Sequence, residues 1–188
     1  YLSNEAGNKG IKAIPGYGLD IPIWLLGSST FSAQLAAQKG LPFVFASHFA
    51  PDSMDDAVKI YHANFKPSAQ LKEPYVMICI NVICAQTNEE AQYLATSPYQ
   101  RIISMFRNQR GKLKPPIENI DEIWSPAEKM SVDSFYAMAQ IGSPETVKAG
   151  LEKLLEKYNV DEFIFTCDIY DTDKRIENFE LLMNIKNS

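Results

Sequence analysis

The sequence predicts an α/β fold built on a parallel sheet. Apolar runs at 21–26, 41–46, 75–85 and 161–167 alternate with segments of helical periodicity. Within each run the residues are apolar throughout rather than alternating with polar ones, the pattern of strands covered on both faces. A helix-start signal follows each run within a few residues, and strand, turn and helix in repetition imply right-handed parallel crossovers.

Residues 1–21 are rich in Gly, Asn and Pro and read as an irregular lead-in. The first strand run stops at Gly27-Ser28-Ser29, after which Phe31, Leu35 and Ala36 take up helical spacing until Gly40 closes the helix. After the second run, Ser53 with Asp55 and Asp56 starts a helix carrying Ala57, Val58, Tyr61 and Phe65, and Pro67 ends it. The third run is the longest, and Thr87 with Glu90 forms a capping box for a helix through Ala91, Leu94 and Ala95. Ser143-Pro144-Glu145 starts a helix with proline at its first position and Val147, Leu151, Leu154 and Leu155 on one side. Past the last run, Asp171 or Thr172 caps a final helix through Ile176, Phe179, Leu182 and Met183.

One stretch, residues 98–141, does not fit the repeat. It carries Arg101, Arg107, Arg110, Lys112 and Lys114, then Pro115-Pro116, then a capped helix start at Trp124-Ser125-Pro126-Ala127-Glu128. An excursion this long between strand units is usually functional or mobile.

Composition narrows the function classes. The 188 residues, 46% hydrophobic and 22% charged, suffice for one soluble globular unit. A net charge of −5 leaves no broad cationic surface, so nucleic acid and anionic membranes are poor partners. Cys79, Cys84 and Cys167 lack paired spacing and read as reduced thiols of a cytoplasmic protein. The opening on Tyr1 reads as a fragment or a processed product. No run approaches a membrane span.

An eight-stranded barrel of strand–helix units takes roughly 250 residues. Four units with an excursion amount to about half of one. An open doubly wound sheet is the competing architecture. It would close its own core, whereas half a barrel leaves unpaired edges and an exposed inner face.

Several segments carry a family resemblance. Pro22-Ile23-Trp24-Leu25-Leu26-Gly27-Ser28-Ser29 with Ser32 through Phe43, then Ala46-Ser47-His48-Phe49, Glu73-Pro74-Tyr75-Val76 and Ile141-Gly142-Ser143-Pro144-Glu145-Thr146-Val147, resemble the bacterial luciferase-like flavin monooxygenases in order and spacing. The resemblance implies a (β/α)8 TIM barrel, of which this chain would supply the C-terminal half, strands five to eight, with a long insertion after the seventh at 98–141 covering the site. It also implies FMN bound at the carboxyl ends of the strands, reduced by a separate reductase, with O2 and a small organic molecule as substrates.

In the family the flavin phosphate sits after the fifth strand, which places it on Gly27, Ser28, Ser29, Thr30, Phe31 and Ser32. Where the luciferases carry a glutamate, this chain carries Ser28. The placement agrees with the residues themselves, because a helix start offers unpaired N–H groups and small hydroxyl side chains allow close approach of a phosphate. His48 follows the second strand, where barrel enzymes place working residues, and would contact flavin or substrate; the plainer reading is a histidine satisfied by a nearby carbonyl. The family's catalytic histidine and reactive cysteine fall in the N-terminal half, so no catalytic residue is assigned.

Other clusters have bland and sharp readings. His62 lies in an amphipathic helix and reads as solvated. Asp168, Asp171 and Asp173 are close enough in sequence to hold Mg²⁺ or Ca²⁺, but helix capping explains them more cheaply, and no metal site is assigned. The basic residues from Arg101 to Lys114 would draw an anion under a lid, or simply form a solvated face, the commoner case. Besides the enzyme, the sequence allows a non-catalytic flavin-binding or assembly module, pairing as a homo-oligomer or with the N-terminal half to bury its sheet edges. It also allows an open α/β domain that binds another phosphorylated ligand.

Overall fold

The computed structural model describes residues 11–19, 21–109 and 111–186. Of the lead-in, residues 1–10 and 20 lie outside them, and so does Arg110 of the basic run. Among the described residues the sheet has five strands, all parallel to their neighbours: β1 (Leu25–Gly27), β2 (Phe43–Ala46), β3 (Val76–Cys84), β4 (Gln140–Gly142) and β5 (Glu162–Thr166). The order is β1-β2-β3-β4, with β5 pairing β3 along Met77 to Asn81. The helices are α1 (Thr30–Lys39), α2 (Met54–Asn64), α3 (Asn88–Phe106), α4 (Pro126–Phe135), α5 (Pro144–Tyr158) and α6 (Thr172–Lys186).

Several boundaries correct the sequence reading. β1 begins at Leu25 rather than 21, because the backbone of Ile23 is satisfied by a side chain: it donates to Oε1 of Gln70 (3.1 Å) and accepts from Nε2 (2.8 Å). β4 was absent from the strand count. Three residues are too few for a periodicity, and Gln140–Gly142 becomes a strand only because β3 runs past β2 and Ala85 donates to the carbonyl of Gly142 (3.2 Å). α3 does not end near Ala95 but continues through Pro98 to Phe106. Proline removes one N–H, and burial of Leu94, Ala95, Ile102 and Ile103 on either side of it holds the helix through the gap. Ser53 precedes α2 without a side-chain cap bond, since a 3-10 turn at Pro51–Ser53 leads the chain in.

Pleat alternation sorts the sheet into two unlike faces. On one, Phe43, Phe45, Val76, Ile78, Ile80, Val82 and Cys84 form a closed core with Ala33, Ala36 and Ala37 of α1, Ala57, Val58 and Tyr61 of α2, Val147 and Leu151 of α5 and Leu182 of α6. Tyr61 fixes this layer by donating to the carbonyl of Leu41 (2.9 Å) and accepting from the amide of Tyr75 (3.1 Å). The other face carries Leu26, Val44, Ala46, Met77, Cys79, Asn81 and Ile164. Leu26, Val44 and Met77 stand in register across β1 to β3, as do Ala46, Cys79 and Ile164 across β2, β3 and β5. None of these joins the helix-packed clusters, and Leu26 and Ile164 are 64% and 41% exposed. The expectation that the apolar runs are covered on both faces therefore fails at the edge strands β1 and β5.

Candidate functional site

Because the strands are parallel, their carboxyl ends open at one end of the sheet. The chain leaves β1 there through Ser28 and Ser29, β2 through Ser47 and His48, β3 through Ala85 to Thr87, and β5 through Cys167 to Asp171. Ligands of open parallel sheets bind at this end, where helix starts face the strand ends.

At β1, Ser29 is the N-cap of α1, and its Oγ accepts from the amide of Ser32 (3.3 Å). Ser32 returns the cap, accepting from the amide of Ser29 (3.4 Å) and donating its Oγ hydrogen to the Ser29 carbonyl (2.7 Å). Gly27 is required by this turn, since a Cβ there would overlap the Ser32 side chain. No acidic residue occupies the first turn of α1, so the positive end of the helix dipole is uncompensated. Phe31 is 75% exposed beside it. The structure thus brings Gly27, Ser28, Ser29, Thr30, Phe31 and Ser32 into one turn.

At β2, Ser47 is buried and donates to the carbonyl of Cys79 (2.7 Å). His48 Nδ1 lies 3.5 Å from the same oxygen, and its ring packs on Phe49 at 4.1 Å. Ser47, not His48, makes the short bond, so His48 is only loosely held. On the sheet face opposite the helix-packed core, Thr166 donates to Asn81 Oδ1 (2.7 Å), a part-buried polar pair that sequence patterning did not single out, because Asn81 interrupts an otherwise apolar strand.

Beside His48 opens a cavity of about 550 Å³ between the loop after β2 and α4, walled by Phe49, Pro51, Phe106, Met130 and Phe135. Its aromatic lining comes from segments far apart in sequence, which is why no local pattern reveals it. The excursion that supplies α4 is bound firmly to α3. Arg107 makes a bidentate pair with Glu128 (2.6 and 2.9 Å) and donates to the carbonyl of Ile123 (2.6 Å). Arg107, together with the Ser125 amide, holds the Glu128 carboxyl down at about 2. Tyr99 and Tyr136 pack edge to face in the same layer, and burial pushes both phenols up to about 12.

The aspartates after β5 do not converge. Asp168 pairs with Arg101 (2.5 Å), while Asp171 accepts from the amide of Lys174 (3.0 Å) as a helix cap. Among the described residues no group of His, Cys, Asp or Glu side chains is arranged to hold a metal ion. His62 departs from its solvated reading, for its Nε2 is closed off from solvent with no partner among the described residues, at a cavity between α2 and the end of α5. Cys79, Cys84 and Cys167 are free thiols; burial, helped by the nearby Glu145 carboxylate, pushes Cys84 up to about 11. No described helix is long and apolar enough to cross a membrane.

A hydroxyl-capped helix start, a loosely held histidine and an aromatic cavity lie around the carboxyl ends of the parallel strands, the end at which α/β sheets in general bind ligands. Residues 4–162 match the family described as luciferase-like monooxygenase, and the chain belongs to that family. A luciferase-like monooxygenase of Escherichia coli (strain K12) is 47% identical over 179 residues, 95% of this chain and 53% of the relative. The solved structure of apo-MsnO8 matches with a TM-score of 0.80 at 26% identity, over 96% of this chain and 55% of that one. The oxygenating constituent of 3,6-diketocamphane monooxygenase from Pseudomonas putida, a type II Baeyer-Villiger monooxygenase solved with FMN, matches at 0.53 and 17% identity, over 89% and 48%, a likeness of fold alone. The chain spans about half the length of the relatives it matches.

Proposed function

We propose that this chain is the C-terminal half, strands five to eight, of a (β/α)8 barrel in an FMN-dependent monooxygenase that oxidises a small organic substrate with O2. The observation that carries the reading is the unfinished sheet. The edge strands β1 and β5 expose apolar side chains, Leu26 and Ile164, as half a barrel must and a self-contained open sheet need not. The family's N-terminal half, joined at those edges, is the partner that completes it.

The turn after β1 suits a flavin phosphate. The Ser29 and Ser32 hydroxyls and the N–H groups of the first turn of α1 would hold it, at the positive end of a helix without an acidic residue to repel it. Thr30 and Phe31 supply amides, and Gly27 and Ser28 leave room for approach. His48 faces the flavin or the substrate, and the cavity walled by Phe49, Phe106 and Met130 takes the organic substrate and keeps water from it. Bound FMN, reduced by a separate reductase, supplies the oxygen chemistry, and the protein supplies position and a dry site.

Titration with FMN followed by flavin fluorescence tests the reading. Saturable binding that weakens in Ser29→Ala/Ser32→Ala supports it, whereas equal affinity in the variant removes the phosphate assignment.

A further inference from the structure

Beside α3 the excursion builds a cleft of about 480 Å³ between the carboxyl-terminal half of that helix and Gln109, Gly111, Lys112 and Lys114. Gln100, Arg101, Ser104, Gln109, Lys112 and Lys114 contribute to its wall, and among the described residues no acidic side chain lines it, the nearest being Asp168 paired with Arg101. That is unexpected in a chain with 23 acidic residues against 18 basic ones. A merely solvated surface intersperses both signs, while cations gathered in a concavity repel one another unless an anion joins them.

The wall is held in place. Ser97 Oγ donates to the carbonyl of Lys114 (2.5 Å), Gln100 Nε2 to that of Pro115 (2.8 Å), and the amide of Ile117 to Thr96 Oγ1 (2.8 Å), fastening the returning strand of chain to α3. Asp168 neutralises Arg101 and anchors it to the segment after β5. Lys112 and Lys114 have no carboxylate within ion-pair distance among the described residues. The cleft sits on the β5 side of the sheet, whereas the serine turn follows β1 at the other edge.

We propose that this cleft is an anion-binding site that takes the carboxylate, sulfonate or phosphate head of a small ligand, with Lys112 and Lys114 supplying charge and Arg101, Ser104 and Gln109 supplying directed donors. The head group belongs to a small anionic ligand other than the flavin, whose phosphate the serine turn takes. The site stands independently of the flavin reading, because its probes contain no flavin.

NMR titration of the purified chain with hexanesulfonate, hexanoate and hexanol at low ionic strength is the test. The two anions bind, perturbing Gln100, Ser104 and Gln109, while the alcohol does not. Lys112→Gln/Lys114→Gln weakens both anions by about tenfold, and Lys112→Arg/Lys114→Arg retains them. Both lysines are exposed, so neither variant disturbs the core. Anions that bind no better than hexanol, or equally well in the glutamine variant, overturn the proposal.

Discussion

Ser29 and Ser32 hold each other in a reciprocal cap, so their hydroxyls are already oriented at the start of α1 before any ligand arrives. Replacing both by Ala removes the cap, costing about 1 kcal/mol of stability. It also removes hydrogen bonds to a charged group, so FMN affinity is expected to fall by about tenfold or more in fluorescence titration. The cysteines make a second residue-scale prediction. Cys84 is 1% exposed, and with its pKa near 11 little thiolate forms at neutral pH. Alkylation by iodoacetamide at pH 8, followed by peptide mass spectrometry, is expected to label the half-buried Cys167 before Cys84; early labelling of Cys84 would show that β3 opens readily. The serine turn was legible in the sequence because capping is local chemistry. The Asn81–Thr166 pair was not, since its partners meet only across β3 and β5.

Helices and strands show the same division between local and long-range signals. α1 ends where Gly40 adopts a φ of 62°, with the Lys66 carbonyl against it. The sequence announced that stop because glycine is the residue that tolerates it. Gly40→Ala combines left-handed strain with a clash and is expected to cost about 1 to 3 kcal/mol, read as a lowered melting temperature. β4 and the second half of α3 were illegible because tertiary pairing and packing make them, against a three-residue length in one and a proline in the other. The excursion helix α4 carries a pH prediction. Arg107 and the Ser125 amide depress Glu128 from 4.5 to about 2, so the pair's contribution is complete above about pH 4.5 and is lost as pH falls through about 2. Trp124, bonded to Asp121 and packed on Tyr99, reports it. In a Trp24→Phe background its emission is expected to shift with a midpoint near 2, and Glu128→Gln should abolish that step; a midpoint at the ordinary carboxylate value would mean that the pair does not hold the helix.

At the scale of the molecule, the two flanks of the sheet are the outstanding feature. Ile21, Ile23, Trp24, Leu26 and Phe31 are exposed at the β1 edge, and Ile164, Ile176, Phe179 and Met183 at β5 and α6. α6 illustrates the point, for Leu182 packs into the core while Phe179 and Met183 face out, and a helix apolar on both sides is one that packs on both. Fully burying a side chain of this size stabilises by roughly 1.5 to 3 kcal/mol, so covering both flanks is worth on the order of 10 kcal/mol. The sequence revealed the parallel α/β class through its apolar runs, but uniform apolarity reads the same whether a second face is covered within the chain or by another piece of protein. Native mass spectrometry tests the central claim most directly, on this chain mixed with FMN and with the segment of the Escherichia coli relative that it does not match. The account predicts a complex of one copy of each polypeptide carrying one FMN. A chain that stays alone as a stable monomer and takes up no flavin would contradict it.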